Sequence, residues 1–172
     1  RPGVLARQAA LLETTGAVLT ACRRDIIDSE GKVLMAGWGL RGIDRGMPGA
    51  QAVRKAARAG SNLFGEPASV MMRRPDLAAV GGWNDAFPYL IDQATYSAVL
   101  LRGRFAPDDE TGATFRMSSG QWSVALVGDQ ARQARAFHRW LATEHPEVLS
   151  RSDRIYADAR ATMMARAPRL SY

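Results

Sequence analysis

Apolar positions at Val4, Leu5, Ala9, Leu11 and Leu12 fall close to helical spacing, and Pro2 suits a first turn. The pattern therefore predicts a helix over 3–14, stopped by Gly16. Residues 17–22 form an apolar run of small and branched side chains, the composition of a buried strand that 23–28 carry outward. Asp28-Ser29-Glu30-Gly31 has the make-up of a tight turn before a second strand at 32–35. Residues 36–49, with Gly37, Gly39, Gly42, Gly46, Pro48 and Gly49, read as a mobile surface loop. A short helix over 50–59, polar on one side, ends at Gly60.

Beyond Gly60 the pattern is denser. Glu66-Pro67 opens an apolar run at 68–72 that is either a buried strand or a helix start; periodicity does not separate the two. Pro75 suits the first turn of a short helix over 76–80, closed by Gly81-Gly82. Tyr96, Val99 and Leu100 share one face of a helix over 92–102, with Gly103 behind it. Phe115 and Met117 mark a strand over 111–118. Ser123 is placed to cap a long helix to about 143, with Val127, Ala131, Ala134, His138 and Leu141 on one face and Arg132, Arg135 and Arg139 on another. Pro146 breaks it. Ser150-Arg151-Ser152-Asp153 resembles a capping box opening a last helix, with Ile155, Ala159, Thr162 and Met163 expected on its apolar side.

Composition narrows the class. The chain has 172 residues, 47% of them hydrophobic and 23% charged, enough for one ordinary folded domain and too apolar for global disorder. No apolar run approaches the ~18 residues that span a bilayer. The first residues, Arg1-Pro2-Gly3, carry no initiator Met or signal-peptide pattern, which leads us to expect a fragment or a processed chain. A net charge of +6 would suit an anionic partner, but the arginines are scattered and a solvated surface accounts for most of them. Cys22 stands alone, so no intrachain disulfide forms, and a small buried hydrophobe in a reducing compartment fits it best. His138 and His145 have no nearby Cys or paired acid and make poor metal ligands. No P-loop, dinucleotide fingerprint or nucleophile motif is present.

The chemistry-bearing residues gather in 62–103: Asn62-Leu63-Phe64-Gly65-Glu66-Pro67, then Ser69-Val70-Met71-Met72-Arg73-Arg74, then Gly81-Gly82-Trp83-Asn84-Asp85, and Asp92 at a helix start. Phe115-Arg116-Met117-Ser118 and Gln121-Trp122-Ser123 follow. In order and spacing this resembles the acceptor-side half of family-2 inverting glycosyltransferases of the GT-A fold. Two departures stand out. Ser118 occupies a position where many relatives carry a histidine, so no metal ligand is carried over. The usual acidic pair at the helix start is reduced to Ile91-Asp92.

The resemblance implies an α/β fold: a partial GT-A-like mixed sheet with flanking helices and a C-terminal helical extension. The division would be an acceptor-side part over 1–122 and a helical tail over 123–172. Asp92 becomes the candidate general base, provided burial raises its pKa against the opposing helix dipole; the bland alternative is an N-cap. Trp83 could stack on a sugar ring, with Asn84 and Asp85 bonding its hydroxyls; the alternative is a core tryptophan beneath a turn. Glu66, Ser69 and Arg116 are further substrate-binding candidates. Arg73 and Arg74 suit a diphosphate, although a solvated strand end explains them more simply.

No cofactor is expected in this chain. A divalent metal, Mg or Mn, is implied for the complete enzyme, whose metal motif and nucleotide-binding half would precede Arg1; the chain alone is therefore expected to be inactive. The implied partners are a nucleotide sugar and a glycan or other hydroxyl acceptor. Cytoplasmic location is expected, with peripheral membrane association and homo-oligomer formation through the tail or an exposed edge left open. Two other readings stand beside it: a non-catalytic glycan- or protein-binding module of the same ancestry, and an arginine-rich binder of membrane surfaces or nucleic acid through Arg132, Arg135 and Arg139. Nucleic acid is the least favoured partner.

Overall fold

The computed structural model of the chain describes residues 1–117 and 127–166. Its centre is β1 (Leu19–Ile27), in which only Arg23 is not fully buried. β4 (Phe105–Arg116) runs parallel along the whole of one side of β1. The other side is shared by two antiparallel strands. β3 (Val70–Met72) pairs with Leu19, Thr20 and Ala21, and β2 (Val33–Trp38) pairs with Arg24, Ile26 and Ile27. The result is a four-stranded mixed sheet with flanking helices, mixed α/β as the sequence pattern implied.

The β1–β2 turn follows its composition: Asp28 Oδ1 accepts from the amides of Glu30 and Lys32 at 3.0 and 2.9 Å. Residues 67–72 resolve the open choice as a short 3-10 turn, Pro67–Ser69, running into β3. α1 (Val4–Thr15) lies beside β4, and α2 (Gly49–Ala59) presents Ala52, Val53, Ala56 and Ala57 to the core. α3 (Arg74–Ala79) and α4 (Ile91–Leu100) follow β3.

Two expectations need correction. β4 begins at Phe105, well before the predicted start, because Pro107 and Asp108-Asp109-Glu110 disguise a strand. The register shifts there between Cys22 and Arg24, and the bulged acids meet Arg7, Arg23 and Arg45. The glycine-rich stretch after β2 is anchored, not loose: Leu40, Ile43 and Met47 are buried, and the Leu40 amide donates to the Leu63 carbonyl at 2.9 Å. The predicted strand end at Ser118 and helix cap at Ser123 lie outside the described residues.

α5 (Gln130–Glu144) buries Ala134, Phe137, His138 and Leu141. Phe137 and Leu141, with Val148 and Leu149 behind them, belong to the same apolar cluster as Leu19, Phe64, Tyr96 and Phe105. α6 (Arg151–Arg166) opens on the predicted capping box: the Asp153 amide donates to Ser150 Oγ at 3.2 Å and the Ser150 amide to Asp153 Oδ2 at 3.3 Å. Its apolar face is turned the other way from expectation. Asp153, Ala157 and Ala161 are buried, while Ile155, Ala159 and Met163 face outward. Small residues win the inner face because α6 packs closely on α2, with Arg54 and Arg58 reaching across to Asp153.

Candidate functional site

The site is built on two loops and one helix start. Asn62 folds the first loop on itself: its Oδ1 accepts from the amides of Phe64 and Gly65 at 3.0 and 3.2 Å, and its Nδ2 donates to the Gly65 carbonyl at 2.9 Å. Phe64 is thereby driven into the core against Phe105 and Tyr96, with ring centroids 5.4 and 6.4 Å away. The Glu66 carbonyl is held by the amide and hydroxyl of Ser69 at 2.9 and 2.8 Å. With its backbone fixed, Glu66 directs its carboxylate onto Arg24 of β1 as an ion pair.

Arg24 is the residue that pattern reading missed. It lies inside the sheet, 5% exposed, with the buried apolar residues Cys22 and Ile26 two positions to either side. Room for its guanidinium exists because Gly39 and Gly65 lack a Cβ: one built on either would sit 2.6 and 2.9 Å from Arg24 Nη1, and both residues have positive φ. A charged side chain within a strand of buried residues needs a partner. Arg24 between Cys22 and Ile26 was therefore a readable signal.

α4 supplies the second carboxylate. Asp92 sits in its first turn, but Leu90 holds the N-cap position and no side chain caps the helix, so the simple cap role is not the one adopted. Burial, with a further push from the Glu66 charge, raises the Asp92 carboxyl to about 6. One turn on, Tyr96 is fully buried and its hydroxyl has no hydrogen-bond partner among the described residues. Burial, then the charges of Asp92 and Glu66, push its pKa far up, so it remains a neutral phenol beside two carboxylates.

The Gly81-Gly82-Trp83 turn closes over α4. Thr95 Oγ1 accepts from the Asn84 amide at 3.0 Å and donates to the Ile91 carbonyl at 2.7 Å, pinning the turn to the helix. Trp83 rests edge-on against Tyr96, centroids 6.1 Å apart, yet is 43% exposed. It is thus not a core tryptophan, and part of its indole stays open. Asn84 Oδ1 accepts from the Ala86 amide at 3.1 Å to hold the turn, and Asp85 is exposed beside it.

Glu66, Trp83 and Asp92 are brought together around Tyr96, and Asn84 follows Trp83 with its amide on Thr95. Two other candidates are not. Ser69 is fully buried and its hydroxyl bonds the Glu66 carbonyl, so it shapes the loop. Arg116 ends β4 opposite Ile27 and donates to the Asp28 and Ser29 carbonyls, at the β1–β2 turn. Arg73 donates to the Ala17 carbonyl at 3.0 Å and the Leu12 carbonyl at 2.5 Å, so it ties the end of α1 to the sheet and is committed to structure.

No family model, curated protein or solved structure matches this chain.

Among the described residues no group of three or more His, Cys, Asp or Glu could hold a metal ion. No helix among the described residues is long and apolar enough to cross a membrane. What the arrangement offers is proton chemistry beside an aromatic surface. A carboxyl titrating near 6 is largely ionised at neutral pH yet basic enough to accept a proton usefully, and the open indole can pack on the apolar face of a ring.

Proposed function

We propose that this chain is the acceptor side of an inverting, nucleotide-sugar-dependent glycosyltransferase resembling family 2 of the GT-A fold. The observation that carries the reading is Asp92: half-buried at a helix start, raised toward neutrality by burial and the Glu66 charge, and one helical turn from Tyr96, on whose ring the half-exposed Trp83 rests. In the reaction, the acceptor hydroxyl oxygen forms a bond to the anomeric carbon. The bond from that carbon to the nucleoside diphosphate breaks on the opposite face, and the electron pair leaves with the diphosphate. Asp92 takes the hydroxyl proton as the new bond forms. Trp83 stacks on the acceptor ring, with Asn84 and Asp85 at its edge.

Donor binding is assigned to chain outside these 172 residues, so this chain alone turns over no nucleotide sugar. Saturation-transfer NMR against a panel of alkyl glycosides tests the acceptor assignment. Glycoside signals that vanish in Trp83→Ala and depend on pH in wild type but not in Asp92→Asn support it. A panel without any Trp83-dependent signal overturns the assignment. Turnover of a nucleotide sugar by the 172-residue chain overturns the division of the site.

A further inference from the structure

Away from that site, the junction of α5 and α6 carries an open cavity of about 520 Å³, lined by Arg139 and Thr143 of α5, by Pro146 and Leu149, and by Arg151 and Arg154 of α6. Among the described residues no carboxylate contributes to its wall. Arg154 lies 3.8 Å from Asp158, while Arg139 and Arg151 have no ion-pair partner among the described residues. Guanidinium groups converging on a partly apolar pocket match a phosphate carried on an apolar body.

The outward side of α6 continues this surface. Ile155, Ala159 and Met163 succeed one another at four-residue steps, and Ile155 and Met163 are 59% and 51% exposed. Arg151 stands one turn before Ile155 and also lines the cavity. On one flank Arg135 reaches Thr162 at 3.3 Å, which places the exposed edge of α5 alongside. On the other, Arg58 lies over the Tyr156 ring, 4.6 Å from its centroid. An apolar ridge between arginine-bearing flanks is the amphipathic pattern of an element lying in a membrane interface.

We propose that the outer face of α6, together with the Arg139–Arg151–Arg154 cavity, docks on an anionic phospholipid surface, the cavity receiving a lipid phosphate and Ile155 and Met163 entering the interface. Charge complementarity calls for an anionic occupant, and the exposed apolar ridge between the basic groups favours a lipid surface over an acidic protein. Ile155 and Met163 stand out with no described residue covering them, and the arginines on the flanks and in the cavity match headgroup phosphates. The inference is independent of the glycosyl-transfer reading.

Vesicle flotation tests it, with pure phosphatidylcholine, a phosphatidylcholine–phosphatidylglycerol mixture, and soluble octyl phosphate as a competitor. Expected is binding to the mixed vesicles alone, weakening steeply with salt. Arg139→Gln/Arg151→Gln lowers partitioning by about tenfold or more, and Ile155→Ser/Met163→Ser lowers it as well; thermal melts confirm that the variants, altered at exposed positions, stay folded. Absence of binding to the mixed vesicles overturns the proposal, as does binding unchanged in both double variants. Octyl phosphate bound in the cavity without vesicle association assigns the pocket to a soluble phosphate and overturns the membrane role. Concentration-dependent dimers lost in Ile155→Ser/Met163→Ser, without vesicle binding, assign the ridge to a second copy of the chain. DNA binding of equal strength and salt slope shows a generic polyanion surface and also overturns it.

Discussion

Arg24 and Glu66 form their ion pair from unequal positions: the arginine side chain is 6% exposed and the glutamate 30%. Desolvation therefore falls mostly on the guanidinium, and the pair behaves asymmetrically when cut. Glu66→Ala leaves Arg24 buried without its counter-charge and costs on the order of 3–5 kcal/mol. Arg24→Met removes the buried charge itself, while Glu66 can turn to water, and costs less. Urea denaturation of both variants decides it; equal losses, or a larger loss for Arg24→Met, remove this account of the pair.

Asp92 carries a stability signature of opposite sense to most carboxylates. Folded, it titrates near 6; unfolded, near the ordinary value of about 3.9. The native state thus holds more protons through that window, and stability falls as pH rises from about 4 to 6. Asp92→Asn escapes this loss. It should exceed wild type by on the order of 1–2 kcal/mol above neutral pH, allowing for screening at a partly exposed group, and match it near pH 4. Denaturation at the two pH values measures the difference. A variant no more stable than wild type above neutrality would show that the carboxyl is not raised.

Gly65 sits where the loop, Arg24 and Ser69 meet, at φ +102°. Gly65→Ala forces a Cβ to within 2.9 Å of Arg24 Nη1 and strains the backbone, with a cost of at least about 2 kcal/mol. The displacement of Glu66 should also lower the Asp92 pKa, because a neighbouring negative charge moves away. A carboxyl-carbon NMR titration follows Asp92 directly, and an unmoved midpoint would uncouple the loop from it.

The tail docks through two titrating groups. Burial pushes Asp153 up, but hydrogen bonds from Arg54, Ser150 and Arg58 outweigh it and hold the carboxyl well below the usual range. Asp153→Asn should cost about 2–3 kcal/mol near neutral pH, below the cost for a fully buried pair because both arginines are half exposed. Burial lowers His138 despite its 2.8 Å bond to Asp158. Its stabilisation is therefore complete above the unfolded value of about 6.5 and is lost as pH falls. Wild type should lose more stability than His138→Gln between about pH 7 and 5, a window in which Asp92 acts in the reverse direction. Parallel losses would remove His138 from that role.

Much of this was legible because local rules sufficed. The Asp28 turn, the Ser150–Asp153 box and the helix ends at Gly16 and Gly60 each depend on a few neighbouring residues, and each forms as the pattern implies. The grouping of Glu66, Trp83 and Asp92 was visible as a dense stretch of polar residues between buried elements. What escaped depends on distant partners. The start of β4 was hidden because its acids face arginines from other elements, and the Arg24 pairing needs Gly39, Gly65 and Glu66 to converge on one strand. α6 was read with the wrong face inward because periodicity marks an apolar stripe without saying whether a neighbour is close enough to require small residues instead.

The parallel pairing of β1 with β4 has a consequence for how the chain comes off the ribosome. Leu19 must wait for Phe105, and every element of the candidate site is made in between. During that interval the strand with the most buried side chains has only β2 and β3 to shield it, both on one side. Closing so long an intervening segment is entropically slow. The nascent chain therefore passes through a stage in which one edge of β1 is open to mispairing, and the pair of arginines at Arg23 and Arg24 then acts as a gatekeeper against aggregation.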